Sequence, residues 1–224
     1  MIRTSIYNCI NKNNLESLIL KLEEKLKQPL PGESAQLLMG SDIRVKEFML
    51  LAENCNTKHS GVLILLYPYE NSIYSVLMQR PKFKSKHPGQ MSLPGGKRES
   101  EDADIIQTAL RETEEEIGVN RDDIHVMGTL TRLYIPPSNF VIYPTVGYVS
   151  KRPDFFPSPY EVDELIEYDI MTLLDPAIRK EKRMKVMKII SFKAPYFDIK
   201  DKVVWGATAM IISEFKEILK AVVN

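Results

Sequence analysis

Apolar residues first recur at helical spacing near the start of the chain. Leu15, Leu18, Leu22 and Leu26 fall within residues 14–27, which predicts an amphipathic helix ending before Pro29 and the Pro31-Gly32 turn. Strand-like runs follow at 61–67, 72–79 and 91–93. The pattern returns to a helix over 102–117, with Gly118 just past its end, the usual place for a left-handed cap. Residues 124–134 and 140–149 read as strands around the turn-rich Pro136-Pro137-Ser138-Asn139. A further strand is expected over 185–192, and a closing helix over 208–222. Interleaved strands and helices without an internal repeat predict a mixed α/β domain. Residues 1–55 are expected to form an N-terminal helical extension packed on a domain of 56–224.

Composition narrows the function classes. The 224 residues are 44% apolar and 27% charged, an ordinary globular balance that argues against disorder and against a coiled coil. Thirty basic residues offset thirty acidic ones, so no footprint of a dedicated nucleic-acid or anionic-membrane binder is visible. Two cysteines, Cys9 and Cys55, are too few for a disulfide scaffold or a cysteine-rich zinc site. The longest apolar run, residues 62–67, is far below the roughly 20 residues of a membrane helix. Residues 1–20 lack a basic region followed by an apolar one. A soluble, reduced, cytoplasmic protein is the expectation, with no nucleic-acid or membrane partner; its oligomeric state is not legible.

One segment departs from this even balance. Between Lys97 and Glu116 stand eight acids and three bases. At about 100° per residue, Ile106, Leu110, Thr113 and Ile117 form one buried stripe, and Glu112, Glu115 and Glu116 share a face turned away from it. Glu114 leaves nearly opposite that cluster. Each carboxylate pair at about 5 Å costs roughly 3 kcal/mol at an effective dielectric of 20. Only Arg111, four residues before Glu115, can offset this within the helix. A divalent cation would relieve the deficit. Just upstream, Gly95-Gly96 allows a tight turn that brings a backbone carbonyl close to an ion. An all-oxygen ligand set predicts a hard ion, Mg²⁺ or Mn²⁺.

These residues resemble the Nudix box, G-x5-E-x7-R-E-U-x-E-E-x-G-U with U a bulky aliphatic. Gly96, Arg111, Glu112, Glu115, Glu116, Gly118 and Val119 match it. Asp102 stands in place of the first Glu, with eight residues rather than seven before Arg111, and Thr113 replaces an aliphatic. Outside the box, Arg80, His87, Gly89, Gln90 and Pro94-Gly95-Gly96 resemble the upstream signature of the coenzyme A pyrophosphatase subgroup, with Ser85 where that subgroup usually has Arg. Further matches at 137–140, 161–164, 173–176 and 205–209 extend the similarity over residues 30–215 or so.

The resemblance implies an α/β/α sandwich with a mixed sheet. It implies metal-dependent hydrolysis of the diphosphate bridge of coenzyme A or acyl-CoA, giving 3′,5′-ADP and (acyl-)4′-phosphopantetheine. The alternatives are another nucleoside diphosphate derivative (ADP-ribose, a dinucleoside polyphosphate, an oxidised dNTP) or an inactive nucleotide-sensing module. Glu112, Glu115 and Glu116 would be the metal ligands, helped by the Gly95 carbonyl, with Arg111 holding a box glutamate in place. The general base would be Glu112 or a later acid, Glu161 or Glu164. Arg80, Lys82, Lys84, Lys86 and His87 are the candidate substrate contacts. The three lysines, at strand spacing, are candidates for a 3′-phosphate. Trp205 reads as a core residue, while His59 and His125 suggest no role.

Overall fold

A computed structural model describes residues 12–41, 53–83, 88–186 and 190–223. Lys84, Lys86 and His87 lie outside them. The frame is a mixed sheet. Its long first strand, β1 (Lys58–Tyr69), runs antiparallel to β2 (Ser72–Gln79) and parallel to β7 (Phe140–Tyr148). Short strands complete it: β3 (Met91–Ser92) and β8 (Glu164–Asp169) on β2, β4 (Gly95–Lys97) on β1, and β5 (His125–Thr129) and β6 (Leu133–Ile135) on β7. β1 is buried almost throughout, from Gly61 to Tyr67 apart from a half-buried Val62, because helices cover both of its faces.

Helix α3 (Ile105–Ile117) covers one face, where Leu63, Leu65, Val76 and Met78 meet Ala109, Leu110 and Ile117. The other face carries α1 (Lys12–Leu26) and α4 (Gly206–Val223), through Leu15, Ile19, Leu22, Leu26, Ile211 and Phe215. A 15-residue helix such as α1 is marginal in isolation. Burial of its apolar stripe, at about 1.5–3 kcal/mol per large side chain, is what holds it. The short α2 (Gly32–Leu37) docks beside α4 through Ser213 Oγ, which donates to Ala35 O at 2.7 Å, and through one carboxylate. Glu214, fully buried, accepts from Gly32 N (3.1 Å), Gln36 Nε2 (2.9 Å), Thr131 N (3.2 Å) and Thr131 Oγ1 (2.6 Å).

Two expected elements change. Of the expected strand 185–192, residues 187–189 lie outside the described residues and the rest fall on two strands, β9 (Arg179–Val186) paired with β10 (Ile190–Ile199), which with β11 (Lys202–Trp205) makes a second, antiparallel sheet. β9 is built from charged residues, and cross-strand pairs such as Lys180–Asp198 and Lys193–Glu181 (both 2.5 Å) stand where apolar alternation would otherwise mark a strand. Residues 124–134 split into β5 and β6, since the pairing with β7 shifts register between Val126 and Gly128 and the chain leaves the ladder at Leu130–Arg132. Trp205 is half-buried at the edge of this second sheet, its ring 6.2 Å from that of Phe192.

Candidate active site

The acidic helix begins later than its composition suggests. Asp104 caps it by accepting from Gln107 N at 2.8 Å, so α3 starts at Ile105 and Asp102 lies in the preceding loop. Gly118 ends the helix at φ +74°, its N–H donating to Glu114 O. Between these caps α3 packs against β1 and β4 at very short range. A Cβ on Gly61 would sit 2.5 Å from Ile105 O and 2.8 Å from Ala109 N, so only glycine lets the helix backbone approach.

This close approach corrects the expected orientation of the carboxylates. The buried face of α3 includes Ala109, Thr113 and Glu116 as well as Leu110 and Ile117, whereas Ile106 is only half-buried. Glu116 therefore does not face away from the core. It stands in the seam between α3 and β4, 3% exposed, and its Oε2 accepts from Gly95 N at 2.7 Å. One turn earlier, Glu112 lies against Gly96, where a Cβ would be 2.3 Å from the carboxylate. Thr113, buried between them in sequence, turns its hydroxyl inward to donate to Ala109 O at 2.7 Å.

Burial raises the proton affinity of both carboxylates. Glu116 is pushed up to about 8, against the lowering effect of the Gly95 N–H and of Arg80. Glu112 is also raised, chiefly by burial, against the lowering effect of Arg111. The negative charge of Glu161 acts on both in the raising direction. The Glu161 loop is tied to α3 by backbone: Ser158 N donates to Glu116 O at 2.8 Å.

Arg111 is the organising cation. It grips Asp102 with two parallel bonds, Nε to Oδ1 at 2.9 Å and Nη2 to Oδ2 at 3.0 Å. It also reaches Glu115 Oε2 (3.0 Å), Glu112 Oε1 (3.2 Å) and Lys97 O (3.3 Å). Asp102, 7% exposed, further accepts from Glu99 N and Thr108 Oγ1, both at 2.9 Å. The extra residue between Asp102 and Arg111 is thus absorbed in the loop before the helix cap, and this acid orients Arg111 rather than facing the seam. Glu115 sits at the exposed rim, on Arg111. Glu114 points elsewhere and pairs with Arg121 at 3.0 Å.

The remaining candidates divide. Arg80 faces the seam, its Nη2 at 3.5 Å from Gly95 O and 4.0 Å from Glu116 Oε1. Gly95 thus offers Glu116 its N–H, while its carbonyl points towards Arg80. Lys82 joins the Glu161 loop through its backbone, N to Asp163 Oδ2 at 3.3 Å. Glu164 is not brought to the cluster. It opens β8 opposite Gln79, in register with Leu77 and Ile166 on the α4 side of the sheet, and pairs with Lys202 at 2.5 Å. Lys202, which also donates to Gln79 Oε1 at 3.2 Å, gave no signal in the sequence because it lies over 120 residues away on a separate hairpin. His59 contacts Tyr143 OH (3.2 Å) and His125 contacts Glu23 (3.4 Å), both away from the seam.

Among the described residues no three His, Cys, Asp or Glu side chains converge closely enough to hold an ion as they stand. The reason is visible: Arg111 holds Glu115 at the rim, and Glu161 belongs to another loop. Glu112 and Glu116 suit a cation. Burial raises the proton affinity of both, the charge of Glu112 raises that of Glu116 further, and both offer oxygen. A hard divalent ion would suit such oxygens.

The NUDIX domain family matches residues 57–188. The human mitochondrial coenzyme A diphosphatase NUDT8 is 30% identical over 185 residues, covering 80% of this chain and 73% of that protein. An uncharacterised Nudix hydrolase, NudL, of Pectobacterium atrosepticum is 32% identical over 148 residues, 62% of this chain and 71% of its own. Nudix hydrolase 15 of Arabidopsis thaliana, also named mitochondrial, is 32% identical over 163 residues, 69% of this chain; the match spans 56% of the plant protein. In structure, the Nudix hydrolase RenU of M. smegmatis superposes with a TM-score of 0.51 at 15% identity, over 74% of this chain and 87% of its own, a likeness of fold. No helix among the described residues is long and apolar enough to cross a membrane. The chain belongs to the Nudix family and is a hydrolase of that family, whose members act on small nucleotide-derived substrates and generally use divalent metals.

Proposed function

We propose that this chain is a cytoplasmic coenzyme A diphosphatase, splitting the diphosphate bridge of coenzyme A or acyl-CoA into 3′,5′-ADP and (acyl-)4′-phosphopantetheine. The observation that carries the reading is Glu112 against Gly96 and Glu116 against Gly95, both desolvated, with Arg80 beside Glu116. The similarity to NUDT8 over four-fifths of the chain supports coenzyme A as the substrate. Residues 56–224 form the hydrolase domain in this reading and residues 1–55 its extension.

Glu112 and Glu116 would hold Mg²⁺ or Mn²⁺, with Glu115 and the Gly95 carbonyl as further oxygen ligands. When bound, the ion neutralises the diphosphate and lowers the pKa of an attacking water. The protein's own part is positional. Arg111, fixed by Asp102, sets the rotamers of Glu112 and Glu115 at the rim. Arg80, which faces the seam, would receive a phosphate oxygen. Glu161 stands within electrostatic reach of both seam carboxylates and is the better placed of the two later acids to accept the proton of the attacking water. Glu164, engaged by Lys202, would support the adjoining loop instead.

Coenzyme A and ADP-ribose, offered at matched pH with Mg²⁺ and after chelation, decide the reading by product mass. Release of 3′,5′-ADP and 4′-phosphopantetheine, lost on chelation, is expected. Equal efficiency on ADP-ribose would move the assignment to another nucleoside diphosphate derivative, and no turnover of either would favour a sensing module. Binding to the folded state alone also predicts that Mg²⁺ or Mn²⁺ raises the melting temperature.

A further inference from the structure

The hairpin between β10 and β11 reverses on Lys200 and Asp201, both at positive φ (49° and 63°), the tight turn whose twist suits two paired strands. It fixes Lys202 as the first residue of β11, opposite Ile199 and beyond the end of the family match at residue 188. The Lys202 ammonium lies between two acceptors on the main sheet, Glu164 Oε2 at 2.5 Å and Gln79 Oε1 at 3.2 Å. An ion pair this open, with Lys202 29% and Glu164 49% exposed, contributes little stability. The second acceptor gives the lysine a different use. An ammonium has donors and no acceptor, so it takes the oxygen of the Gln79 amide and leaves the NH₂ to face the other way. That NH₂ donates to Gly89 O at 3.2 Å.

Gly89 belongs to the turn that sets Arg80. Its N–H donates to Arg80 O at 3.1 Å, and Arg80 N donates to Gln90 O at 2.9 Å, so both backbone groups of Arg80 are held by this turn. Gly89 itself stands at φ +67°, where other residues are strained. The same segment is tied a second time from beyond the family match, by Thr208 Oγ1 to Met91 O at 3.3 Å. From this relay we infer that Lys202 is a positioning residue for Arg80: by orienting the Gln79 amide it holds the Gly89-Gln90 turn, and with it the guanidinium that faces Glu116. The inference rests on the reading of Arg80 as a contact for a substrate phosphate. Lys202 bonds to Gln79 and Glu164 and not to the seam carboxylates, so its loss should weaken phosphate binding and leave the hydrolytic step nearly intact.

A double-mutant cycle on the full chain tests this. Arg80→Ala should raise the KM for coenzyme A about tenfold or more, the scale of a lost charged hydrogen bond. Lys202→Met should raise it roughly three- to tenfold, the scale of a single neutral bond. Its kcat should stay within about twofold and its melting temperature near that of the parent. In the Arg80→Ala background Lys202→Met should add less than about twofold, because its effect runs through a guanidinium that is gone. Gln79→Leu removes the relay and leaves the Lys202–Glu164 pair, so it should match Lys202→Met. Lys202→Arg keeps a cationic donor and should restore most of the parent KM. Equal rises in KM in both backgrounds, an unchanged KM, or a fall in kcat and melting temperature without a change in KM overturns the inference. Calorimetric Kd values for ADP with Mg²⁺ read the same cycle without turnover. If coenzyme A is not hydrolysed while the cycle on ADP stays non-additive, the substrate assignment fails alone. If the parent binds no ADP, or Arg80→Ala leaves its Kd unchanged, Arg80 is no phosphate contact and the inference falls with it.

Discussion

Glu114 and Glu116 are the same residue two positions apart on one helix, in opposite surroundings. Glu114 pairs with Arg121 in solvent, while Glu116 is sealed against Gly95. Glu116→Gln keeps an oxygen that can accept the Gly95 N–H and removes only the charge. Turnover should fall by about 10² or more, as when charge stabilisation of a transition state is lost. The fold should not suffer, since a desolvated carboxylate beside Glu112 and Glu161 is itself a liability; the melting temperature is expected to hold or rise. Glu114→Gln should change turnover less than about threefold. Equal losses in both variants would mean that a diffuse acidic field, and not a specific pair, is at work. Gly96→Ala probes the same seam from the strand side. Its Cβ would fall 2.3 Å from the Glu112 carboxylate, so Glu112 must swing out, and steady-state kinetics should show a loss approaching that of Glu112→Gln in a protein that still folds.

At the scale of the element, the joint between the glycine turn and α3 depends on one ion pair. Asp102 and Arg111 are both mostly buried and doubly bonded, and the guanidinium holds the Asp102 carboxyl well below its ordinary value of 3.8. A carboxyl whose folded value is depressed binds more protons when unfolded. Its stabilisation is therefore complete above about pH 4 and is lost as pH falls towards the folded value. Asp102→Asn should cost about 2–4 kcal/mol at pH 7, the range for breaking a buried pair. Denaturant melts should show that deficit narrowing below pH 4; a deficit independent of pH would place the Asp102 contribution in packing instead. Turnover should fall too, because Arg111 also sets Glu112 and Glu115.

On the scale of the whole molecule, Glu214 joins parts of the chain that the family match leaves out to one that it includes. Its carboxylate binds Gly32 and Gln36 of the N-terminal segment and Thr131 between β5 and β6, from a helix beyond residue 188. Glu214→Ala would strand several buried donors, each costing about 1–3 kcal/mol. Large destabilisation is expected, together with faster proteolytic cleavage near residues 28–32. Loss of stability without that local susceptibility would show that α2 stays docked through its apolar contacts and the Ser213–Ala35 bond.

The acidic helix, its glycine neighbours and the mixed α/β class were legible in the sequence because each is local: a 3.6-residue period, a cap, a run of like charge. The same holds for the strand-like runs that marked β1, β2 and β7. What was not legible depends on partners distant in the chain. Whether Glu116 faced solvent or a seam depended on Gly61 admitting the helix backbone, which no helical wheel contains. β9 escaped notice because its pairing runs through charges supplied by β10. Asp102 and Glu164, both acids near the motif, could be told apart only by what they meet, Arg111 for one and Lys202 for the other. The sequence by itself determined which residues carry the charge; the tertiary structure decided which of those charges are desolvated together, because burial is a property of the packed chain and not of the residue.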